Sequence, residues 1–129
     1  MANINQGDRP LSPHLTIYRP QLNSAMSIFH RVTGVGLAFA AVLGVWWFIA
    51  AASSEGYFNT IDGLLTSWIG GLIMLLSMIA LWYHFCNGVR HLVWDAGFGF
   101  DLDALERSSF WVFAGTIILT LITLNVAFC

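Results

Sequence analysis

Lysine is missing altogether from this 129-residue chain, and only 9% of its residues are charged. A soluble domain carries roughly 25% charged residues to keep its surface wet, so this composition argues against a free-standing soluble fold. The net charge of −2 offers no basic surface for nucleic acid and no polybasic patch for a lipid headgroup layer. Cysteine is scarce: Cys86 and Cys129 lie in or at the end of apolar runs. They make neither a disulfide framework nor metal-ligand spacing, and both read as reduced, buried thiols. Proline is confined to positions 10, 13 and 20. Residues 1–8 lack a basic stretch followed by an apolar core, so no cleavable leader is read there and the later spans serve as the insertion signal.

What the chain does have is length of apolar sequence. Crossing a bilayer takes about 20 mostly apolar residues. Residues 32–54 contain none of the charged types until Glu55, residues 63–89 are interrupted only by His84, and residues 108–129 are again free of charge. The expected fold is therefore an all-α integral membrane protein with three transmembrane helices, over about 24–52, 64–94 and 108–128. Arg9, Arg19 and Arg31 precede the first span, and Arg90 and Arg107 flank the turn between the second and third. The segment around Glu55 to Asp62 has no arginine. By the positive-inside rule the N-terminus lies inside and the C-terminus outside.

Residues 1–22 form a separate polar segment. Its three prolines fix φ, remove donors and push preceding residues out of helical conformation, so it is expected to be extended. Leu15, Ile17 and Tyr18 alternate with polar residues, which favours docking on a partner over a disordered tail. Residues 23–129 form the membrane domain. Ser24 is the expected N-cap of the first helix. Trp46, Trp47 and Tyr57 gather toward the outer interface, and Asp95-Ala96-Gly97 with Gly99 should stop the second helix. The third span, rich in Ile, Leu and Thr, reads as scaffold.

Ionisable groups in a span are expensive and are functional hypotheses by default. Here they gather at one end: Ser27, His30 and Arg31 at the start of the first helix, His84, Arg90, His91 and Asp95 at the end of the second. Ser27, His30 and Arg31 are spaced i, i+3, i+4 and share a face. So do His84, Gly88, His91 and Asp95, at i, i+4, i+7 and i+11. His84 and His91 lie roughly 10 Å apart along the axis, too far to ligate one metal ion. With the second span centred near Met74 or Leu75, His84 falls about 14 Å inward of the midplane, just inside the hydrocarbon. A neutral imidazole at that depth wants a metal or a hydrogen-bond partner. A haem on His84 would point its propionates at His91, His30 and Arg31, and Gly88 would leave room for the macrocycle. Against this stands a simple interhelical hydrogen bond from His84, with Arg31 and Arg90 snorkelling to phosphates. Ser27, Arg31 and Asp95 suit a quinone, with donors for its carbonyl oxygens and a route for protons. They equally suit an interfacial polar cluster in which Asp95 pairs with Arg31 or Arg90. Spacing leaves both pairs of alternatives open.

Three segments carry a resemblance. Arg9-Pro10-Leu11-Ser12-Pro13-His14-Leu15, Ser27-Ile28-Phe29-His30-Arg31-Val32-Thr33-Gly34, and the run His84 to Asp95 containing Gly88, Arg90 and His91 resemble the cytochrome b subunit of succinate:quinone oxidoreductase. The first histidine–arginine motif is most similar to the mitochondrial and alphaproteobacterial branch. The resemblance implies that His84 is an axial ligand of haem b, the second ligand coming from a smaller membrane-anchor subunit. It implies that His30, Arg31 and His91 lie near the propionates, and that Ser27 and Arg31 line a ubiquinone site with Asp95 close by. The implied partners are that small anchor, an iron–sulfur subunit, a flavoprotein subunit and the lipid bilayer, in the inner membrane of a bacterium rather than a mitochondrion. Competing expectations are a haem-free anchor, a quinol:fumarate reductase anchor and a small transporter subunit. The one-sided polar cluster argues against the last, since a pathway needs polar groups in both halves.

Overall fold

In a computed structural model the residues described are 17–129. The N-terminal segment through position 16, with His14 and two of the prolines, lies outside them. The described residues form four helices and no strand: α1 Leu22–Ser53, α2 Glu55–Leu65, α3 Trp68–Asp95 and α4 Leu102–Phe128. Three of these, α1, α3 and α4, are long and apolar enough to cross a membrane. Helices suit that medium because every backbone donor and acceptor is satisfied within the segment. At 1.5 Å per residue, the 32 residues of α1 exceed the ~30 Å hydrocarbon layer by several turns.

The boundaries differ from expectation in three places, each with a local cause. α1 starts at Leu22 with Gln21 in the cap position, not at Ser24. The chain turns helical as soon as it clears Pro20, and the Ala25 amide donates to the Gln21 carbonyl at 3.0 Å. The stretch from Glu55 is a helix rather than a connection. The Ser54 hydroxyl caps it by accepting from the Tyr57 amide at 3.3 Å, and Glu55 complements the positive end of the dipole. The Ser67 hydroxyl then accepts from the Gly70 amide at 3.2 Å and opens α3. The Ser67 cap thus divides the apolar run that starts at residue 63 between the end of α2 and the start of α3, a bend that hydropathy alone does not register. α4 begins at Leu102 rather than near 108, because a helix continues through a charged turn that an apolar-run reading excludes.

Other local features agree with the residue chemistry. α3 ends in a Schellman turn: the Phe98 amide donates to the Val93 carbonyl at 3.2 Å and the Gly97 amide to Trp94 at 2.8 Å. Gly97 sits at φ +88°, where a side chain would be strained. At the opposite end of the bundle the Trp46 indole donates to the Tyr57 hydroxyl at 2.6 Å and the Trp47 indole to the Asp62 carboxylate at 3.0 Å, pinning α2 against α1. Gly70 is buried at the α2–α3 corner, and a Cβ there would run into the backbone carbonyls of Leu64 and Leu65. Both cysteines are free thiols, but only Cys86 is half-buried. Cys129 is exposed, in the cap position just past the last turn of α4.

α3 is the central element, packing on both α1 and α4. The fully buried interior is small: Met26, Tyr83, Val112, Asn87 and Ser109 meet where the three long helices converge. Arg90, only 5% exposed, sits in that interior. Its guanidinium donates to Asn23 of α1 at 2.5 Å and to Ser109, Ser108 and the Leu105 carbonyl of α4 at 3.1, 2.8 and 3.2 Å. It also stacks over the Trp94 ring at 4.2 Å. Arg90 is therefore no snorkelling phosphate anchor; it ties three helices together. About two turns along α3 from Arg90 the Tyr83 hydroxyl donates to the Met26 carbonyl at 2.9 Å.

Replacing Arg90 by Leu relieves the desolvation of the cation but strands the Asn87 side-chain carbonyl and leaves Asn23 Oδ1 only the Ser109 hydroxyl as donor. Interhelical hydrogen bonds in membranes average about 0.6 kcal/mol, and those to charged groups in proteins reach about 1.5–3 kcal/mol. Arg90→Leu should thus destabilise the bundle by about 2–4 kcal/mol in a denaturing-detergent titration. Arg107→Leu, at an exposed site, should stay within about 0.5 kcal/mol of the parent. Gly70→Ala should also destabilise, by forcing the α2–α3 corner open, with increased protease access at Thr66 as its signature.

Candidate functional site

α1 and α3 lie against one another so that the residues near position 30 meet those near position 84. The outcome is a ladder of three imidazoles. The His30 and His84 rings stack face to face, with centroids 3.9 Å apart and planes 8° from parallel. His91 follows on the other side of His30, centroid to centroid 5.2 Å and tilted by 43°. The Trp94 ring closes the row edge-on to His91 at 4.9 Å. The roughly 10 Å between His84 and His91 along α3 is thus filled by a side chain from α1. The His30 ring thus sits between His84 and His91, a step toward the interface from His84, and the Arg90 and Tyr83 contacts above hold antiparallel α1 and α3 in that register.

His84 is anchored through one nitrogen only. Its Nδ1 lies 3.1 Å from the His30 carbonyl oxygen and 3.2 Å from the Thr33 hydroxyl. A carbonyl can only accept, so Nδ1 carries the proton and Nε2 keeps a free lone pair. Nδ1 of His30, by contrast, is buried without a hydrogen-bond partner among the described residues. An orphaned ring nitrogen of this kind calls for an acceptor or donor that the described residues do not supply. Glycines border the ladder on both helices. A Cβ at Gly34 would stand 3.1 Å from Cε1 of His84, and one at Gly88 would stand 3.8 Å from Cε1 of His30.

The second constellation is looser. Ser27 is half-buried one turn from His30, whereas Arg31 and Asp95 are exposed. No hydrogen bond or ion pair joins Ser27, Arg31 and Asp95 among the described residues. Asp95 does not pair with Arg90, whose donors go to α1 and α4 on another face of α3. The four ring and guanidinium groups His30, His84, His91 and Arg31 therefore share one end of the α1–α3 pair. Among the described residues no group of three His, Cys, Asp or Glu side chains could hold a metal ion unaided. A metal at His84 needs other ligands.

Two features were legible but passed over. Tyr83, Asn87 and Arg90 repeat at i, i+4, i+7 on α3, the same spacing that identified the His84 face. Asn23 and Ser109 lie at matching depth on the other two spans. Polar residues at one level on three apolar helices indicate a shared interior network. Thr33 gave no such signal, because a threonine in a helix ordinarily bonds its own backbone, as this one does to Phe29 at 2.8 Å.

With this geometry stand the comparisons with known proteins. Residues 5–123 match the family model described as the succinate dehydrogenase/fumarate reductase transmembrane subunit. The succinate dehydrogenase cytochrome b556 subunit of Paracoccus denitrificans is 45% identical over 128 residues, covering 99% of this chain and 98% of that protein. The cytochrome b556 subunit of Rickettsia bellii is 40% identical, covering 88% of this chain and 89% of its own. The cytochrome b560 subunit of Marchantia polymorpha is 42% identical over 78% of this chain and 77% of its own length. Similarity of this extent, running through all three long helices and the imidazole ladder, places the chain in the family of succinate dehydrogenase and fumarate reductase transmembrane subunits.

Proposed function

We propose that this chain is the cytochrome b membrane anchor of a succinate dehydrogenase, binding haem b through His84 and ubiquinone beside Ser27 and Arg31. The observation that carries the reading is the single-sided anchoring of His84, which leaves Nε2 without a hydrogen-bond partner among the described residues. A neutral imidazole with its other nitrogen bound to a carbonyl is the form in which histidine ligates a metal.

The surrounding groups fit the cofactor. The orphaned Nδ1 of His30, with His91 behind it and Arg31 beside it, would supply donors for the two propionates. Gly34 and Gly88 leave room for the His84 and His30 rings between α1 and α3. When bound, haem b supplies a one-electron iron centre. His30 is not the second axial ligand. Its ring is parallel to and stacked on His84, so the lone pairs of the two rings cannot meet head-on across one iron. The second ligand would come from a smaller membrane-anchor subunit.

Ubiquinone is the substrate at the same end. Arg31, exposed and free of internal partners among the described residues, donates to a quinone oxygen as negative charge develops there. Ser27, one turn earlier on α1, holds the quinone through a second hydrogen bond, and Asp95 orients Arg31. An iron–sulfur subunit delivers the electrons and a flavoprotein subunit oxidises succinate; this chain touches neither succinate nor fumarate. Arg19, Arg31, Arg90 and Arg107 all lie at this end of the bundle, so it faces the cytoplasm of a bacterial inner membrane, with the C-terminus outside.

Two substitutions test this. His84→Leu should abolish the low-spin b-type signal in the reduced-minus-oxidised spectrum of the purified complex, and an undiminished signal would defeat the ligand assignment. Arg31→Leu should lower succinate:quinone turnover by about 10²-fold, the usual loss when one donor to a developing oxyanion is removed. Succinate oxidation by a soluble artificial acceptor should be spared. Equal loss of both activities would mean failed assembly rather than a damaged quinone site.

A further inference from the structure

The hydroxyl of Thr33 has no part in the reading above, yet it touches the residue on which that reading rests. Its oxygen lies 3.2 Å from Nδ1 of His84. Its own proton is committed to the backbone, with the Phe29 and His30 carbonyls 2.8 and 3.0 Å away. The hydroxyl therefore faces His84 as an acceptor. The His30 carbonyl, 3.1 Å from the same Nδ1, is an acceptor by necessity. Were the ring proton on Nε2, a bare Nδ1 would face two oxygen lone pairs at hydrogen-bond distance with no proton between them. Two acceptors on one edge fix both the tautomer and the rotation of the ring about χ2.

The next residue shapes the space. A Cβ on Gly34 would stand 3.1 Å from Cε1, 3.7 Å from Nδ1 and 4.0 Å from Nε2 of His84. The first of these is closer than a methyl group normally tolerates, and the neighbour is a ring already held on its other flank by the stacked His30 at 3.9 Å. Any side chain at 34 would turn or displace the imidazole. Thr33 and Gly34 thus act on one edge of His84 by two independent means, a hydrogen bond and an absence of volume.

We propose that Thr33 and Gly34 are positioning residues for the metal ligand: Thr33 accepts Nδ1–H of His84, fixing the tautomer and ring plane that present a bare Nε2, and Gly34 keeps the space in which that ring plane is possible. This rests on the assignment of His84 as an axial ligand of haem b. Losing an outer hydrogen-bond partner of a ligating histidine typically costs 10–100-fold in metal affinity, and the orientation of an axial imidazole is read directly in the spectrum of the ferric iron.

The test uses the whole complex, purified with its partner subunits, and two readouts other than turnover. These are the rate of haem loss to excess apomyoglobin and the low-spin electron paramagnetic resonance spectrum of the oxidised complex. Thr33→Val keeps the shape and removes the acceptor; it should speed haem loss by about 10–100-fold and shift the resonance positions. Thr33→Ser, which restores the hydroxyl, should return both to the parent values. Gly34→Ala leaves every hydrogen-bonding group in place and should shift the spectrum by turning the ring. If Thr33→Val does not assemble, the Gly34→Ala spectrum decides. Parent-like haem retention and spectra in both variants would overturn the proposal. His84→Leu, run in parallel, separates the two failures. Haem lost in His84→Leu but unaffected by Thr33→Val and Gly34→Ala sinks only the positioning role. Haem retained in His84→Leu sinks the ligand assignment beneath it.

Discussion

A guanidinium buried among three apolar helices is the constraint from which the rest of this structure follows. Arg90 is only 5% exposed, and an unpaired cation at that depth would be prohibitive. Its donors are met by Asn23 of α1 and by Ser108, Ser109 and the Leu105 carbonyl of α4. Those partners are short side chains and a backbone group, so they tolerate little sliding of one helix past another. In hydrocarbon there is no hydrophobic force to set helix register, and polar contacts with close packing must do it. With Asn23 held at Arg90 and Met26 held by the Tyr83 hydroxyl, antiparallel α1 and α3 bring His30 and Thr33 beside His84.

α3 therefore works on two faces. Tyr83, Asn87 and Arg90 form the interior stripe that binds α1 and α4, and all three are buried. His84, Gly88 and His91 form a neighbouring stripe, half-buried in the cleft with α1. Adjacent residues in sequence thus have opposite duties: Arg90 assembles the bundle and His91 extends the imidazole ladder. The 100° between consecutive residues of a helix is what allows the Arg-His pair to serve both. A substitution at either position consequently produces a different defect, and loss of activity alone does not tell them apart.

Much of this was open to reading in the sequence. Three apolar spans, a stop at Gly97 and a polar end bearing Ser27, His30, Arg31, His84, His91 and Asp95 all follow from composition and helical spacing. The α2–α3 bend did not, because an apolar run has no feature that marks where it turns. The caps that make the turn, Ser54 and Ser67, lie within serine-containing stretches that also read as loop. The role of Arg90 was obscured by its distance from the midplane, which suits a snorkelling side chain equally well; only its neighbours on α1 and α4 decide. The contact between His30 and His84 was hidden for the same reason. Spacing along one helix gives a face, whereas the pairing of two faces depends on register, and register here is set by contacts some 60 residues apart in the chain, such as Tyr83 to Met26 with a separation of 57.

The imidazole ladder also supports the proposal that a second chain completes the site. Face-stacked rings point their nitrogens along parallel planes, so the pair offers a metal one nitrogen on one side. His91 is tilted and farther away, and it does not change that count. Arg31 and Asp95 are exposed, and nothing among the described residues roofs the cleft between α1 and α3 at their level. The flank of α1 beyond it is apolar and open, with Val35, Phe39 and Val42 at 62%, 70% and 65% exposure. In water such a surface would be a liability; against lipid or a second set of helices it is ordinary. A polar cluster at the head of an exposed apolar face is where the proposed haem and quinone site would need another membrane-spanning chain, one that would bring the opposing ligand and exclude water from the stack.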